Sequence, residues 1–412
     1  MCYVAAHRKE DRITVKNVAK LIAVDTLRQF GLGFFTITFA FKADQLGLSA
    51  FGLGIVTTLS VLISIAITRL VAERINGSKS IRKFLLAAGF LMAATGLLVG
   101  MASSIPELLV SAVFGFLPPL GGQFVTAAVE GQLSHTEEST RTETFAKYGF
   151  ATSTAGAIGA LAAALPHYLG ATTSSSISTM NFIYAALGGA IVLISLTSSA
   201  IEEASHGLFV NNQVQSAYTD SDRKINRLAL LFVVDSTGSG TVTPALIAFW
   251  LHQKYHMTLS HLAILYFVMA ILNSISYPFA VRISRRIGLL NTAVFTHIPS
   301  SLLLIAVPFT GSQIVASLLL VARSLLVEMD VPTRQSYIAS IVEPEFRTKA
   351  AARTSIGKQA GRAIGPILGG ATLSGVGAVA PFLIGGTLKI GYDISLWRSF
   401  RRVKSIDVEN AK

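Results

Sequence analysis

Apolar runs of about twenty residues, the length that crosses a bilayer as a helix, recur about twelve times along this 412-residue chain. They fall near 17–41, 51–72, 84–102, 107–128, 148–169, 180–200, 226–251, 259–281, 289–309, 313–333, 354–375 and 377–396. None alternates apolar with polar residues, as the ten-residue strands of a membrane barrel would. Only 14% of the residues are charged, against about 25% in an average soluble chain. These features predict an all-α integral membrane protein with twelve transmembrane helices embedded in a lipid bilayer.

The chain is also written twice. KNVAKLIAVDTLRQFGLGFF from Lys16 returns as KINRLALLFVVDSTGSGTVT from Lys224, and with the second copy shifted by two residues Asp25 falls on Asp235. TRTETFAKYGFATSTAGAIGALAAAL from Thr140 is matched by FRTKAAARTSIGKQAGRAIGPILGG from Phe346, with Arg141 on Arg347, Ile158 on Ile364 and Gly159 on Gly365. The polar stretch between the two copies reads as a linker. The expected organisation is an N-terminal six-helix bundle at 1–200, a cytoplasmic linker at 201–225, and a C-terminal six-helix bundle with a short cytoplasmic tail at 226–412. Duplicated membrane halves are how many transporters are built, with the substrate held between repeats near the midplane.

The net charge of +12 would suggest nucleic acid in a soluble chain. Here the positive-inside rule accounts for it. With the first helix running outward, the outer loops hold only Lys42 and Lys254. Arg28, Arg323, Lys358, Arg362 and Lys389 lie within helices, and the remaining basic residues gather on the other side. Both termini are therefore expected in the cytoplasm, in the cell membrane, with no nucleic-acid partner. The single cysteine, Cys2, rules out an intramolecular disulfide. No hydrophobic signal core precedes the first helix, which must serve as the targeting signal itself.

Three passages resemble the major facilitator superfamily, and the six-plus-six layout extends the resemblance over nearly the whole chain. RLVAERINGSKSIRK between helices two and three is similar to the family loop G-x-L-a-D-R-x-G-R-R/K, with Glu73 at the acidic position and Arg74 after it. FAVRISRRIGLLN between helices eight and nine is its repeat, with Arg285 where the acid would stand and Arg286 beside it. MDVPTRQSYIASIVEPEFRTKAAART from Met329 is similar to the helix-ten exit in a bacterial and archaeal branch. The resemblance implies that helices one, four, seven and ten line a cavity, with five, eight and eleven close behind. It also implies that Glu73, Arg74, Arg285 and Arg286 clamp inner helix ends during conformational switching. Gly361, Gly365, Pro366, Gly369 and Gly370 spell a family antiporter signature, displaced from helix five to helix eleven; tight helix packing is the reading preferred for them over a sign of efflux.

A charge at the bilayer centre costs at least about 2.5–3.5 kcal/mol, so intramembrane charges face a partner or a polar cavity. By depth, Asp235, Arg323 and Arg362 fall near the midplane, and Asp25, Arg28, Glu328 and Lys358 in the inner half. Two readings stay open for them. They are internal ion pairs holding helices together, or Arg323 and Arg362, with Asn273 and Gln123, bind an anionic or polar solute while Asp235 or Glu328 exchanges a proton. Tyr148 reads as an interface residue, His297 as packing on a peripheral helix, and Lys389 as snorkelling or pairing with Asp393. No phosphate loop, metal-ligand spacing or nucleophile elbow is present, so no cofactor, metal or enzymatic activity is expected. The expected function is secondary transport of a small polar or anionic organic solute, driven by a coupling ion, the proton first, in a protein working as a monomer. Proton-driven efflux of amphipathic compounds and a transporter-like sensor are the alternatives.

Overall fold

The computed structural model describes residues 15–403 except 76–80, most of 119–137, 198–219 and 343–346. Every regular element among the described residues is helical, and the elements trace twelve membrane-spanning helices. Spans one to six are α1 (Val15–Gln45), α2 (Ala50–Ile75), α3 (Ile81–Met101), α4 (Ile105–Ser111 and the 3-10 turn Ala112–Phe114), α5 (Glu138–Ala162) and α6 (Thr173–Thr197). Span seven comes in two pieces, α7a (Asp220–Thr241) and α7b (Pro244–Tyr255). It is followed by α8 (Leu259–Ile287) and α9 (Leu289–Ala306). Span ten is also divided, into α10a (Gln313–Val327) and α10b (Asp330–Ile341), before α11 (Arg347–Gly375) and α12 (Ala380–Phe400). The linker expected at 201–225 lies mostly outside the described residues.

Seven of the described segments are long and apolar enough to cross a membrane by length and composition alone. The spans that fall below that mark include α1, α11 and α12, which carry Asp25 and Arg28, Lys358 and Arg362, and Lys389 and Asp393. Bulky apolar side chains such as Phe90, Phe150, Leu193, Leu230 and Ile356 stand exposed on the helix surfaces. Such exposure is expected where lipid, and not water, is the solvent.

Both breaks have local causes. In span seven the run STGSGTVTP ends α7a with two glycines. Thr243 then caps α7b, accepting a hydrogen bond from the Leu246 N–H at 3.2 Å, and Pro244 occupies the first turn, where no donor is needed. In span ten, Pro332 has no N–H to offer the Glu328 carbonyl. The chain tightens there into shorter-range bonds, Met329 N to Leu326 O and Val331 N to Glu328 O, both 3.3 Å.

Cα proximity groups Met1–Gly47, Leu59–Val210 and Leu259–Phe267 into one compact unit, and Leu48–Thr58, Asn211–Thr258 and Val268–Lys412 into a second. In the first unit α1 packs on α5 and α3 on α6. The approach is close enough that a Cβ on Gly159 would run into the Phe30 carbonyl, and one on Gly96 into the Ala185 backbone. Phe35 stacks on Tyr184 with ring centroids 4.0 Å apart, and Thr38 donates to Asn181 at 3.0 Å, tying α1 to α6.

In the second unit α7a lies along α11, where a Cβ on Gly361, Gly365 or Gly369 would strike the backbone of Val233, Gly240 or Thr241. Aligning Asp25 with Asp235 puts Phe30 on Gly240, so the Phe30–Gly159 and Gly240–Gly365 contacts are made by repeat-related residues. The duplication in sequence is thus a duplication of packing. Small residues at such positions let backbones approach where no hydrophobic force drives membrane helices together. The glycines of the antiporter-like signature serve this packing. The first turns of α2 also sit on α11: the Phe51 N–H donates to Ser374 Oγ at 2.9 Å and the Ile367 N–H to Thr58 Oγ1 at 3.0 Å.

Candidate functional site

Each unit buries its own charge cluster around its repeat-related aspartate. In the first unit Asp25 is fully buried and Arg28 nearly so. They sit three residues apart on α1, so one helix face carries both, and Arg28 Nε donates to Asp25 Oδ1 at 2.6 Å. Arg28 Nη2 donates to Thr126 Oγ1 at 2.6 Å, and Thr126 Oγ1 donates to Asp25 Oδ2 at 3.3 Å. The Tyr148 hydroxyl on α5 donates to the same carboxylate oxygen at 2.6 Å. Both carboxylate oxygens are therefore occupied by partners from three spans. Tyr148, expected at a membrane interface, is instead buried: one hydroxyl facing a desolvated carboxylate is worth more inside than at a polar boundary.

The second unit holds the larger cluster. Asp235 on α7a accepts from Lys389 Nζ at 3.0 Å and from Arg334 Nη1 at 3.4 Å. Arg334 also meets Asp330, one turn back on α10b, at 2.6 Å. His297 on α9 places Nδ1 at 2.9 Å from Asp393 Oδ2, and its Nε2 at 3.2 Å from Lys389 Nζ and 4.0 Å from Asp235 Oδ1. All six side chains are buried.

Three expectations are corrected by this geometry. Arg334, just past the 313–333 run, still belongs to the span, because α10b continues to Ile341 and holds the guanidinium against Asp235. His297 is no packing residue, since it bridges Asp393 and Lys389. Lys389 does not snorkel; it pairs with Asp235, and Asp393 takes the histidine.

Around this cluster stand other sequence-predicted residues. Lys358 and Arg362 share one face of α11, and both lie within electrostatic reach of Asp235 and Arg334. Lys358 Nζ sits 4.9 Å from the Phe232 ring centroid, a cation–π contact. Arg362 is also within reach of Glu328, which accepts a hydrogen bond from the Tyr277 hydroxyl on α8. Asn273 on α8 is half-buried and its Oδ1 finds no hydrogen-bond partner among the described residues. Arg323 is half-buried on α10a.

Gln123 lies outside the described residues. Glu73 and Arg74 fall on the last turn of α2 and their side chains are likewise outside the description. Arg285 and Arg286 are exposed on the last turn of α8. Two signals in the sequence point to what was missed. Lys389 with Asp393, and Asp330 with Arg334, are opposite charges four residues apart in otherwise apolar spans. That spacing puts each pair on one helix face.

A family model described as Major Facilitator Superfamily matches residues 228–410. An uncharacterized membrane protein of Saccharomyces cerevisiae is 24% identical over 353 residues, covering 76% of this chain and 79% of that protein. Among solved structures, a variant of the nucleoside transporter NupG superposes with a TM-score of 0.71 at 16% identity, covering 93% of this chain and 100% of that one. A D-xylose-proton symporter gives 0.68 at 11% identity, covering 94% and 100%. The human organic anion transporter TETRAN gives 0.60 at 14% identity, covering 92% and 99%. The family model thus matches the C-terminal half of the chain, and the chain as a whole shares its all-helical fold with these solved transporters.

Proposed function

We propose that this protein is a secondary active transporter of a small polar or anionic organic solute, coupled to protons, working by alternating access as two six-helix bundles rock about a midplane site. One observation carries the reading: α7a, α10b, α11 and α12 bring Asp235, Arg334, Lys358, Arg362 and Lys389 into one buried neighbourhood. A purely structural bundle gains little from burying that much charge, because desolvation offsets most of the pairing energy. Arg362 and Lys358, one turn apart on α11, are the groups that meet a carboxylate, phosphate or polyhydroxyl solute, with Arg323 and Asn273 as further contacts. The fold is shared with proteins whose names state transport of nucleosides, xylose and organic anions, which agrees with a small polar cargo.

The bundle boundaries at 1–200 and 226–412, cytoplasmic termini and a place in the cell membrane complete the proposal. A second reading, a transporter-like sensor with locked charges, is favoured by the Asp25 cluster, in which every carboxylate oxygen is already bonded. The first test is ligand-induced stabilisation. Purified protein is heated with panels of nucleosides, sugars, organic anions and amphipathic cations. Stabilisation by a polar or anionic compound that disappears in Arg362→Ala and Lys358→Ala supports the site. Stabilisation by amphipathic cations alone favours efflux, and none by any class favours the sensor.

A further inference from the structure

Five charged side chains stand close around His297. Asp235, Asp330 and Asp393 contribute three carboxylates, and Arg334 and Lys389 two cations. Lys358 and Arg362 on α11 stand within electrostatic reach of the same groups, and a proton reaching the cluster is placed by geometry. The ring geometry says where that proton goes. Nδ1 lies 3.0 and 2.9 Å from the two Asp393 oxygens, and a carboxylate only accepts, so Nδ1 carries hydrogen. Nε2 faces the Lys389 ammonium at 3.2 Å, and an ammonium only donates, so Nε2 offers its lone pair. A proton arriving on Nε2 converts that attraction into repulsion between two cations. An acceptor that Nε2–H can turn to is Asp235 Oδ1, 4.0 Å away and at present held by Lys389.

We propose that the His297–Asp393 pair, buried between α9 and α12, is a proton-binding site, and that loading it transfers Asp235 from Lys389 to His297. The inference rests on the proton-coupled reading above and adds a site to it. Span nine does not supply the solute-binding residues proposed above, and its histidine reaches the α7a aspartate through a single lysine. Proton occupancy at α9 is thereby converted into a change in what holds α7a to α12. The charged groups facing the pair are Asp235 on α7a, Asp330 and Arg334 on α10b, and Lys389 on α12, with Tyr392 edge-on to the ring at 6.2 Å. Lys358 on α11 lies beyond Arg334, and α10a, also packed on α9, carries Arg323.

The chain supplies its own reporter. Of its two tryptophans, Trp397 lies one turn beyond Asp393 and donates from Nε1 to Asn291 on α9 at 3.1 Å, so it reads the α9–α12 seam. The experiment takes the full chain carrying Trp250→Phe, in lipid nanodiscs, and follows Trp397 emission from about pH 8 to about pH 3, through and below the range where histidine ordinarily titrates. A one-proton transition is expected, retained in Asp393→Glu and reduced to under about a tenth of its amplitude in His297→Gln. An unchanged transition in His297→Gln, or no transition in the parent, overturns the site.

Because a variant can fail to fold, 15N-histidine NMR on the unmutated protein gives a second readout. His297 is the buried histidine among the described residues, and its ring must pass from a neutral Nδ1–H form to a doubly protonated one. A solvent-shielded ring that stays in one neutral tautomer throughout overturns the proposal. Neither readout depends on a transported solute, so failure here leaves the coupled-transport reading standing. Success here followed by absent solute flux would sink that reading instead.

Discussion

Asp235→Asn removes the charge at the centre of the larger cluster, and its cost can be worked from the contacts. Lys389 Nζ at 3.0 Å and Arg334 Nη1 at 3.4 Å each attract a carboxylate by about 5 kcal/mol at an effective dielectric near 20. Desolvation consumes most of that, and breaking a buried pair from one side typically costs about 3–5 kcal/mol. The asparagine leaves two cations facing each other across a neutral amide, so the upper part of that range is expected. Lys389→Met should cost less, about 1–3 kcal/mol, because Asp235 keeps Arg334. The double variant should be no less stable than Asp235→Asn alone, since the stranded ammonium has gone. Graded SDS unfolding in mixed micelles, followed by tryptophan emission, gives all four corners of the cycle. A coupling energy of about 0.5–3 kcal/mol is expected for residues in contact. Strictly additive losses would refute the pairing.

Further outcomes follow from the same contacts. Gly159→Ala and Gly365→Ala force α1 off α5 and α7a off α11, and each should lower stability by about 1–3 kcal/mol. Gly189→Ala, whose Cβ meets nothing within 4 Å, should be neutral or slightly stabilising in the same unfolding assay. Tyr148→Phe removes one donor from Asp25 and should cost about 1–3 kcal/mol; Arg28→Ala, which leaves the carboxylate without its cation, should cost about 3–5 kcal/mol. Thr243→Ala removes the cap of α7b and should cost about 0.5–2 kcal/mol, read as faster amide exchange at Ala245–Ile247.

The spans, their number and their duplication were readable because lipid imposes a length on every apolar run. The α1–α5 and α7a–α11 packing was readable in outline from repeated glycines. The break at Val242–Thr243 was not recognised, although Pro244 behind a threonine is a helix start, because the apolar run continues through it. Of the site, Asp25, Arg28, Asp235, Lys358 and Arg362 stood out as charges in expensive places. His297, Tyr148 and Arg334 did not. A lone histidine or tyrosine in an apolar run carries no periodic signal, and Arg334 lies just past the end of the 313–333 run. Which charge pairs with which is a matter of three-dimensional register between helices far apart in sequence, and no spacing rule reaches that far.

Solute-dependent current on a solid-supported membrane tests transport most directly. Proteoliposomes are given a pH jump with and without nucleosides, sugars and organic anions, beside Arg362→Ala and His297→Gln proteoliposomes. A current that requires both a polar or anionic solute and the pH step, and that vanishes in Arg362→Ala, is the predicted result. Currents indistinguishable from those of protein-free liposomes for every solute would contradict it.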